Sequence, residues 1–233
     1  MKQITIATYN IRHGHDVGFD WARLAEIIKQ SRADIIGIQE VDMHTDRIAG
    51  RDTISGLVNA TGLPYALFVP TMDFDGGQYG TAILSRYPLA SAEYHALDAA
   101  DFEPRAFGYV TVNTDDGTSL GFLNTHLTHE SRKQQAVQFT QLSAWMGEHI
   151  DKDSITILTG DFNTENFSDF SPLLDIGFSL VNNQEHTHKT FRSPPLAIDN
   201  IVYRASRLSP AEQGMIDSDR SDHNLLWCRF DLR

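Results

Sequence analysis

The stretch ITILTGDFN, residues 155–163, carries the pattern that decides the fold. The segment from Ser154 to Leu158, which includes its apolar start, predicts a short strand that is buried on both faces. Two polar residues, Asp161 and Asn163, follow this strand almost at once. Ligands of α/β proteins gather at strand ends, because side chains from different strands converge there on rigid supports. The stretch therefore indicates an α/β fold with a polar site at one edge of its sheets.

The same pattern, an apolar run next to a polar residue, recurs on both sides of this stretch. The residues concerned are Asn10 after the run 4–9, Glu40 after 35–39, His126 after 120–125, Asp199 in the run 198–203, and Asp222 with His223 before 225–230. A single carboxylate or histidine at a strand end is usually a turn, capping or structural residue. Carboxylates, amides and imidazoles that recur at strand ends indicate instead a metal site with oxygen ligands and nearby acid–base groups. Because the chain has one cysteine and no His-Glu-x-x-His helix, magnesium or manganese fits this set better than zinc.

Helical and extended patterns alternate along the chain without a repeat or a low-complexity linker. The spacing of apolar residues predicts helices over 19–30, 53–60 and 130–150. Strands are predicted over 3–9, 34–39, 79–84, 89–97, 107–112, 119–125, 154–158, 198–203 and 225–230, with a hairpin turn at 115–117 and a loop-rich stretch before residue 198. Hairpins interleaved with helix-separated strands indicate mixed sheets with helices on their outer faces. No composition shift divides residues 1–233, so one domain is preferred over two small ones.

Composition excludes several classes of protein. Hydrophobic residues make up 41% and charged residues 21% of the chain, which is typical of a globular domain and not of a disordered one. The 31 acidic and 19 basic side chains give a net charge of −12, and such a surface repels nucleic-acid backbones and anionic lipids at long range. Stable nucleic-acid binding is therefore not expected, although a metal ion and a few arginines can make one cleft of an acidic protein positive.

The chain lacks the sequence signs of a membrane or secreted protein. No apolar run approaches the roughly 18 residues of a transmembrane segment. Residues 1–6 lead directly into a strand pattern without a signal-peptide core, although a chain whose leader had been removed would look the same. The one cysteine, Cys228, cannot form an internal disulfide and fits a reducing compartment. We therefore expect a cytoplasmic protein.

Short motifs in a fixed order suggest a family. They are Thr8-Tyr9-Asn10-Ile11, Ile38-Gln39-Glu40-Val41, Gly80-Thr81-Ala82-Ile83-Leu84-Ser85-Arg86, Asn124-Thr125-His126-Leu127, Gly160-Asp161-Phe162-Asn163, Ile198-Asp199 and Ser221-Asp222-His223. Together they resemble the endonuclease/exonuclease/phosphatase superfamily of metal-dependent phosphohydrolases over nearly the whole chain. The resemblance implies a DNase I-like fold, a four-layer α/β sandwich in which two mixed β-sheets pack face to face with helices outside. It also implies in-line attack of water on a phosphoester, assisted by Mg²⁺ or Mn²⁺.

The resemblance assigns metal and water roles to residues of these motifs. Glu40 is similar to the principal metal ligand, with Asn10 beside it, and Asp222 to a second carboxylate on the metal side. Asp161 resembles the residue that orients or deprotonates the attacking water. Asn163 resembles a partner that holds this water or the phosphate oxygens.

The resemblance also assigns the groups that contact the phosphate. His126 and His223 resemble donors to the phosphoryl oxygens, and Asp199 resembles the carboxylate that orients His223. Arg105 is similar to a phosphate contact. Arg12 is interpreted in two ways that stay open here, as a contact to the substrate phosphate or as a surface residue.

The other histidines and the apolar side of the long helix are interpreted as structural. His13 and His15, in the loop after the first strand, and His129, which is predicted to open the long helix, belong to this group. The apolar residues of segment 139–146 recur at helix spacing and are predicted to face the core.

The motifs indicate the reaction but not the substrate. Few scattered lysines and a short chain favour a small or single-ended phosphate ester, including a lipid-headgroup or nucleotide phosphodiester. A DNase-like endonuclease is the nearest alternative, and a non-catalytic binding module on the same fold is a more distant one. We expect a monomer.

Overall fold

Two six-stranded β-sheets dominate the computed structural model, which describes residues 3–183 and 188–233. Numbered along the chain, the strands are β1 Gln3–Asn10, β2 Ile35–Met43, β3 Tyr65–Phe74, β4 Gly77–Ser85, β5 Leu89–Leu97, β6 Arg105–Asn113, β7 Ser119–His126, β8 Ile155–Asp161, β9 Phe178–Leu180, β10 Phe191–Arg192, β11 Pro195–Leu196, β12 Asp199–Arg204, β13 Leu208–Ile216 and β14 Leu225–Leu232. The first sheet has the order β13-β14-β1-β2-β4-β3 and the second β5-β6-β7-β8-β12-β9, while β10 and β11 form a separate ribbon. Each large sheet contains one parallel pair, β1 with β2 and β7 with β8. The prediction of mixed sheets is confirmed.

All three predicted helices are present. The helices are α1 Trp21–Ser31, α2 Thr53–Thr61, α3 Arg132–His149 and the short α4 Ser171–Leu174, with 3-10 segments at Arg12–Val17, Asp46–Ile48 and Phe167–Phe170. Asp20, Asp52 and Ser131 cap the three longer helices by accepting backbone N–H groups of the first turn. α1 and α3 each cross from one strand of a parallel pair to the other, as a parallel connection requires. Within residues 3–183 and 188–233, no helix has the length and apolar character needed to cross a membrane.

Three apolar clusters separate the four layers of the sandwich. The central one lies between the sheets, where Ile4 and Ile6 of β1 meet Phe122 of β7 and Ile157 of β8. Two outer clusters pack α1 with α2 against the first sheet, and α3 with α4 against the second. The apolar side of segment 139–146 faces the cluster between α3 and the second sheet, as predicted. The four-layer, DNase I-like sandwich is therefore confirmed.

Polar residues of the motifs tie the two sheets together near one edge. Asn124 of β7 donates its side-chain N–H groups to two backbone carbonyls of the first sheet, each at 2.9 Å. Its Oδ1 accepts from Gln39 Nε2 at 2.7 Å and from Thr159 Oγ1 at 3.0 Å. A Cβ atom on Gly37 would lie 2.1 Å from Thr159 Oγ1, so the close approach of the sheets requires glycine there. This buried network aligns the strand ends of both sheets.

The sequence missed the two edge strands of the first sheet. β3 and β13 each contain a proline, Pro70 and Pro210, and in each the pairing with the neighbouring strand shifts at that proline. Proline cannot donate a ladder hydrogen bond, so it is tolerated in sheets at edges and bulges, and it hides the strand pattern. The loop-rich stretch also contains β9, β10, β11 and α4, which are too short to show a period.

The prediction that His129 opens the long helix is wrong. Ser131 Oγ accepts the N–H of Gln134 and α3 begins at Arg132, so His129 lies in the loop between β7 and α3.

Candidate active site

The site residues predicted from the sequence lie at one edge of the sandwich. They come from the carboxyl end of β1 (Asn10), the interior of β2 (Glu40), the ends of β7 and β8 (His126 and Asp161), the first residue of β12 (Asp199) and the loop before β14 (Asp222 and His223). A cleft of about 510 Å³ opens at this edge. Of the predicted residues, it is lined by Glu40, Arg105, His126, Asp161, Asn163, Asp222 and His223. Asn10 and Asp199 lie behind these residues and hydrogen-bond to them.

A β-bulge aims Glu40 into the cleft. The register between β2 and β4 shifts between Ile38 and Val41, and Glu40 has a φ of 56°. This left-handed conformation costs a residue other than glycine of order 1 kcal/mol or more. Bulges of this kind redirect a side chain out of the regular alternation of the strand. The Gln39 side chain therefore hydrogen-bonds to Asn124 of the other sheet, whereas the Glu40 side chain lines the cleft.

The Glu40 carboxylate is held in its ionised form. Burial alone would raise its pKa, but His13, His126 and Asn10 outweigh burial and lower the pKa to about 2. Asn10 Nδ2 donates to Glu40 Oε1 at 3.0 Å. His13 Nδ1 lies 3.9 Å from Glu40 Oε2, which is too long for a hydrogen bond. Glu40 is therefore an anion throughout the physiological pH range.

Asn10 connects the carboxylates that the two sheets contribute to the site. Its Nδ2 donates to Glu40 Oε1 and also to Asp161 Oδ2, both at 3.0 Å, although Asp161 is 151 positions away in the chain. The backbone N–H of Arg12 donates to Asn10 Oδ1 at 3.0 Å, which fixes the orientation of the amide. The amide nitrogen, and not the oxygen, thus faces Glu40, and the role of Asn10 as a metal ligand stays a prediction.

Asp199, His223 and Asp161 form a buried chain of polar groups. Asp199 Oδ2 lies 2.7 Å from His223 Nδ1, and His223 Nε2 lies 3.7 Å from Asp161 Oδ2. Burial would lower the pKa of His223, but the charges of Asp199 and Asp161 outweigh it and raise the pKa to about 10. His223 is therefore an imidazolium at neutral pH, and its Nε2–H points toward the cleft side of Asp161.

The pKa values of Asp161 and His126 are shifted in the directions that favour the neutral forms of these side chains. Burial and the negative charge of Asp199 raise the pKa of Asp161 to about 7, against the opposing effects of His223 and Asn10. Burial and then Arg105 lower the pKa of His126 well below its usual value. His126 Nε2 lies 3.5 Å from Asp161 Oδ2. The cleft thus brings the neutral His126 and the protonated His223 next to a carboxylate, Asp161, that titrates near neutrality.

Asn163 follows Asp161 in a strained turn. It has a φ of 53°, its backbone N–H donates to Asp161 Oδ1 at 3.0 Å, and its Nδ2 donates to the carbonyl of Leu127 at 2.9 Å. Gln135 of α3 holds the turn by donating to the carbonyl of Asn163. The turn orients Asp161 and places Asn163 on the cleft wall.

The two arginines predicted as phosphate contacts occupy different places. Arg105 is 3% exposed and lines the cleft, with Nη1 at 2.9 Å from Glu103 and a buried Nε that has no partner among the described residues. Arg12 lies outside the cleft lining, with Nη1 at 3.2 Å from Asp16 and Nε at 3.5 Å from Asp222. Its role, like that of Asp222, stays a prediction.

Two groups of side chains at the cleft offer ligand atoms for a cation. Asp161, Asp199 and His223 hold ligand atoms within 4.8 Å of one another. However, the 2.7 Å contact between Asp199 and His223 is a hydrogen bond that needs a proton, so this trio is a proton-holding chain rather than a ligand set. Glu40 is ionised and lines the cleft, and Asp222 lines the same cleft. Carboxylate oxygens of this kind fit Mg²⁺ or Mn²⁺.

Ten other residues line the cleft that the sequence did not assign to the site. They are His13, Arg47, Met72, Phe74, Tyr79, Glu103, His129, Phe191, Leu196 and Ile198. From the sequence, His13 and His129 are interpreted as structural, and their place two positions after a motif was the signal that could have revealed them. Arg47 lies in the 3-10 segment Asp46–Ile48, and the aromatic residues lie in β3, β4 and β10, where the sequence carries no marker of a site.

Comparisons with known proteins agree with this geometry. A family model described as the endonuclease/exonuclease/phosphatase family matches residues 7–223. The uncharacterized protein YbhP of Escherichia coli (strain K12) is 25% identical over 222 residues, covering 88% of this chain and 87% of that protein. Among solved structures, an endonuclease/exonuclease/phosphatase from Beutenbergia cavernae has a TM-score of 0.84 at 17% identity, covering 100% of this chain and 72% of that one. A mannosyl-6-phosphatase of Bacteroides thetaiotaomicron has a TM-score of 0.71 at 19% identity, covering 99% of each chain.

Proposed function

The chain belongs to the endonuclease/exonuclease/phosphatase family, and from this premise we propose that it is a divalent-metal-dependent hydrolase of a small phosphate ester. The observation that carries the proposal is the double hydrogen bond of Asn10. It joins Glu40 from one sheet to Asp161 from the other at 3.0 Å each, directly behind the cleft that these two residues line together with His126 and His223. Metal-binding and water-activating groups thus share one hollow, which phosphoester hydrolysis requires.

Glu40 is the proposed anchor of the metal, with Asp222 and the neighbouring Asn10 as the other candidates. When bound there, Mg²⁺ or Mn²⁺ would supply positive charge to the phosphoryl oxygens. The bulge that aims Glu40 and its lowered pKa together prepare a fixed anion in the cleft. The strain of the bulge is offset by the packed sheet around it.

The protein's own residues activate the water and hold the phosphate. Asp161 accepts a proton from the attacking water, and its pKa near 7 suits a base that works at neutral pH. As the bond from the water oxygen to phosphorus forms, the bond from phosphorus to the ester oxygen breaks, and the leaving alkoxide takes a proton from bulk water to become the alcohol. The imidazolium of His223 donates a hydrogen bond to the phosphoryl oxygens while Asp199 holds its proton and orientation. His126 and Asn163, which also line the cleft, contribute further donors.

The charge pattern of the cleft favours a small ester over a nucleic acid. Both arginines that line it have a carboxylate partner, Arg47 with Asp42 at 2.5 and 2.6 Å and Arg105 with Glu103 at 2.9 Å. No lysine lines the cleft among the described residues. A duplex needs several unpaired cations along its backbone. A single phosphate needs only the metal and a few donors.

The test is a hydrolysis panel with purified protein in Mg²⁺ or Mn²⁺. It compares a chromogenic monoester, a chromogenic diester, sugar phosphates, a phospholipid and plasmid DNA. We expect turnover of a small ester that chelation abolishes and that Glu40→Gln lowers at least about 100-fold. Undiminished turnover in the chelator, or in Glu40→Gln, would contradict the proposal. Nicking of the plasmid at a higher kcat/KM than any small ester would favour the endonuclease.

We also propose four further properties of this protein. These are one domain over residues 1–233, a cytoplasmic location, a monomer, and Mg²⁺ or Mn²⁺ as the metal. Sedimentation and the metal series of the same panel test the last two.

A further inference from the structure

The cleft has two apolar walls beside its polar floor. One wall is built by Met72, Phe74 and Tyr79 from the hairpin of β3 and β4. The other is built by Phe191, Leu196 and Ile198 around the ribbon of β10 and β11. The reaction proposed above uses none of these side chains.

The first wall is held in place by charged groups. The guanidinium of Arg47 lies 4.6 Å from the centre of the Phe74 ring and 5.7 Å from that of Tyr79. Asp75, in the turn between β3 and β4, accepts the backbone N–H of Arg47 at 2.7 Å. Arg47 also donates two hydrogen bonds to the Asp42 carboxylate. Its positive charge is therefore neutralised within the wall and does not face a ligand. The aromatic wall is therefore a fixed surface.

The second wall contacts the loop before β14, which carries Asp222 and His223. Phe191 pairs with His223 through a β-bridge, and their ring centres are 5.0 Å apart. The backbone N–H of Arg192 donates to the carbonyl of Asp222 at 3.0 Å. A group that contacts Phe191 thus lies next to the imidazolium that would hold the phosphate.

From these two walls we infer that the ester carries one phosphate on an apolar alcohol, an alkyl or aryl group, an inference that rests on the proposed function. The walls offer apolar surface in the same cleft as the phosphate position, and a polar sugar or a second phosphate would leave its hydrogen-bonding groups unpaired against them. The cleft volume of about 510 Å³ suits a body of this kind together with a phosphate. Polyanionic substrates are disfavoured because both lining arginines are already paired.

The test is a homologous series with one leaving-group chemistry. Ethyl, butyl and hexyl phosphate, and the same chains as methyl diesters, are assayed with the full chain in Mg²⁺ and in Mn²⁺. Full burial of a methylene improves binding about fourfold. A cleft that is open on one side should give roughly half of that free energy, which is about a twofold improvement for each methylene. We expect kcat/KM to rise roughly 10- to 20-fold from the ethyl to the hexyl compound in whichever ester type is hydrolysed.

Variants of the first wall locate the effect. Phe74→Ala should lower the hexyl-to-ethyl ratio at least about threefold, while Phe74→Leu retains most of it. The matched control is Tyr94→Ala, on the exposed edge strand β5, where the side chain is 48% exposed. Because the readout is a ratio within one protein, loss of folded protein does not affect it.

The outcomes separate the inference from the proposed function. Hydrolysis with a ratio near one, or an unchanged ratio in Phe74→Ala, overturns the inference. Failure of both series while a sugar phosphate or an oligonucleotide is cleaved overturns it as well, and leaves the proposed function standing. If no phosphate ester is hydrolysed in either metal, the proposed function falls and the inference falls with it.

Discussion

Asp199→Asn tests the electrostatic core of the site with a change of one group. Asp199 Oδ2 lies 2.7 Å from His223 Nδ1, and both side chains are buried. The rise in the pKa of His223 from 6.5 to about 10 corresponds to about 5 kcal/mol in favour of the imidazolium. Burial opposes this rise, and Asp199 is the largest of the groups that produce it. Without the Asp199 charge, the pKa of His223 should fall well below that of the wild type.

Two measurements report this change. The His223 ring protons, followed by NMR, should remain in the imidazolium position through pH 8 in the wild type and should titrate at a lower pH in Asp199→Asn. For the best ester of the panel, kcat should fall about 10²- to 10⁴-fold, with KM changing much less, because the lost interaction acts mainly in the transition state.

Stability should change with pH in a defined direction. A histidine whose pKa is raised on folding stabilises the fold fully below its unfolded value of 6.5, and this contribution is lost as the pH rises through about 10. The difference in unfolding free energy between wild type and Asp199→Asn should therefore narrow between pH 7 and pH 10 in urea titrations.

Asp231→Asn is the matched control, because Asp231 lies near the far end of β14, where it accepts from Gln3. This variant should keep wild-type kcat and the wild-type titration of His223. The reasoning is refuted if Asp199→Asn leaves the His223 titration unchanged, or keeps kcat within about threefold of the wild type while the protein is folded.

Further perturbations address the metal, the water and the packing of the sheets. Glu40→Gln should weaken Mn²⁺ binding in calorimetry about 10-fold or more, because it removes the one carboxylate that the bulge aims into the cleft; wild-type affinity would place the metal elsewhere. Activity should fall as the pH drops below about 7, because burial and Asp199 raise the pKa of Asp161 to about 7 and its base form is lost by protonation. A pH–rate profile of the wild type that stays flat below pH 7 would assign the base role to another group. Gly37→Ala should destabilise the protein by about 2–4 kcal/mol, since its Cβ would lie 2.1 Å from Thr159 Oγ1 and 2.4 Å from Asn124 Oδ1. Gly147→Ala, in α3 with its nearest neighbour at 3.9 Å, should instead stabilise by about 0.5–1 kcal/mol, and equal effects of the two changes in urea unfolding would contradict the packing argument.

Local patterns in the sequence predicted the architecture well. The apolar pattern of residues 3–9 predicted a strand, and Ile4 and Ile6 of this strand face the second sheet in the structure. Helix spacing identified α1 and α3, which set up the two parallel strand pairs. These features depend on neighbours within a few positions, so a single sequence reveals them. The proline-containing edge strands β3 and β13 stayed hidden, because pairing with β4 and β14 stabilises them rather than any property of their own residues.

By itself, the sequence determined which chemical groups stand at the strand ends and, through its motifs, the family to which they belong. Only the tertiary structure decided what those groups can do. The bulge at Glu40, the two hydrogen bonds of Asn10, and the opposite protonation of His126 and His223 all depend on partners far away in the chain. The apolar walls around Phe74 and Phe191 arise in the same way, from segments that carry no motif. A pKa or a cleft wall depends on burial and on distances in space, and these exist only once the sheets have packed.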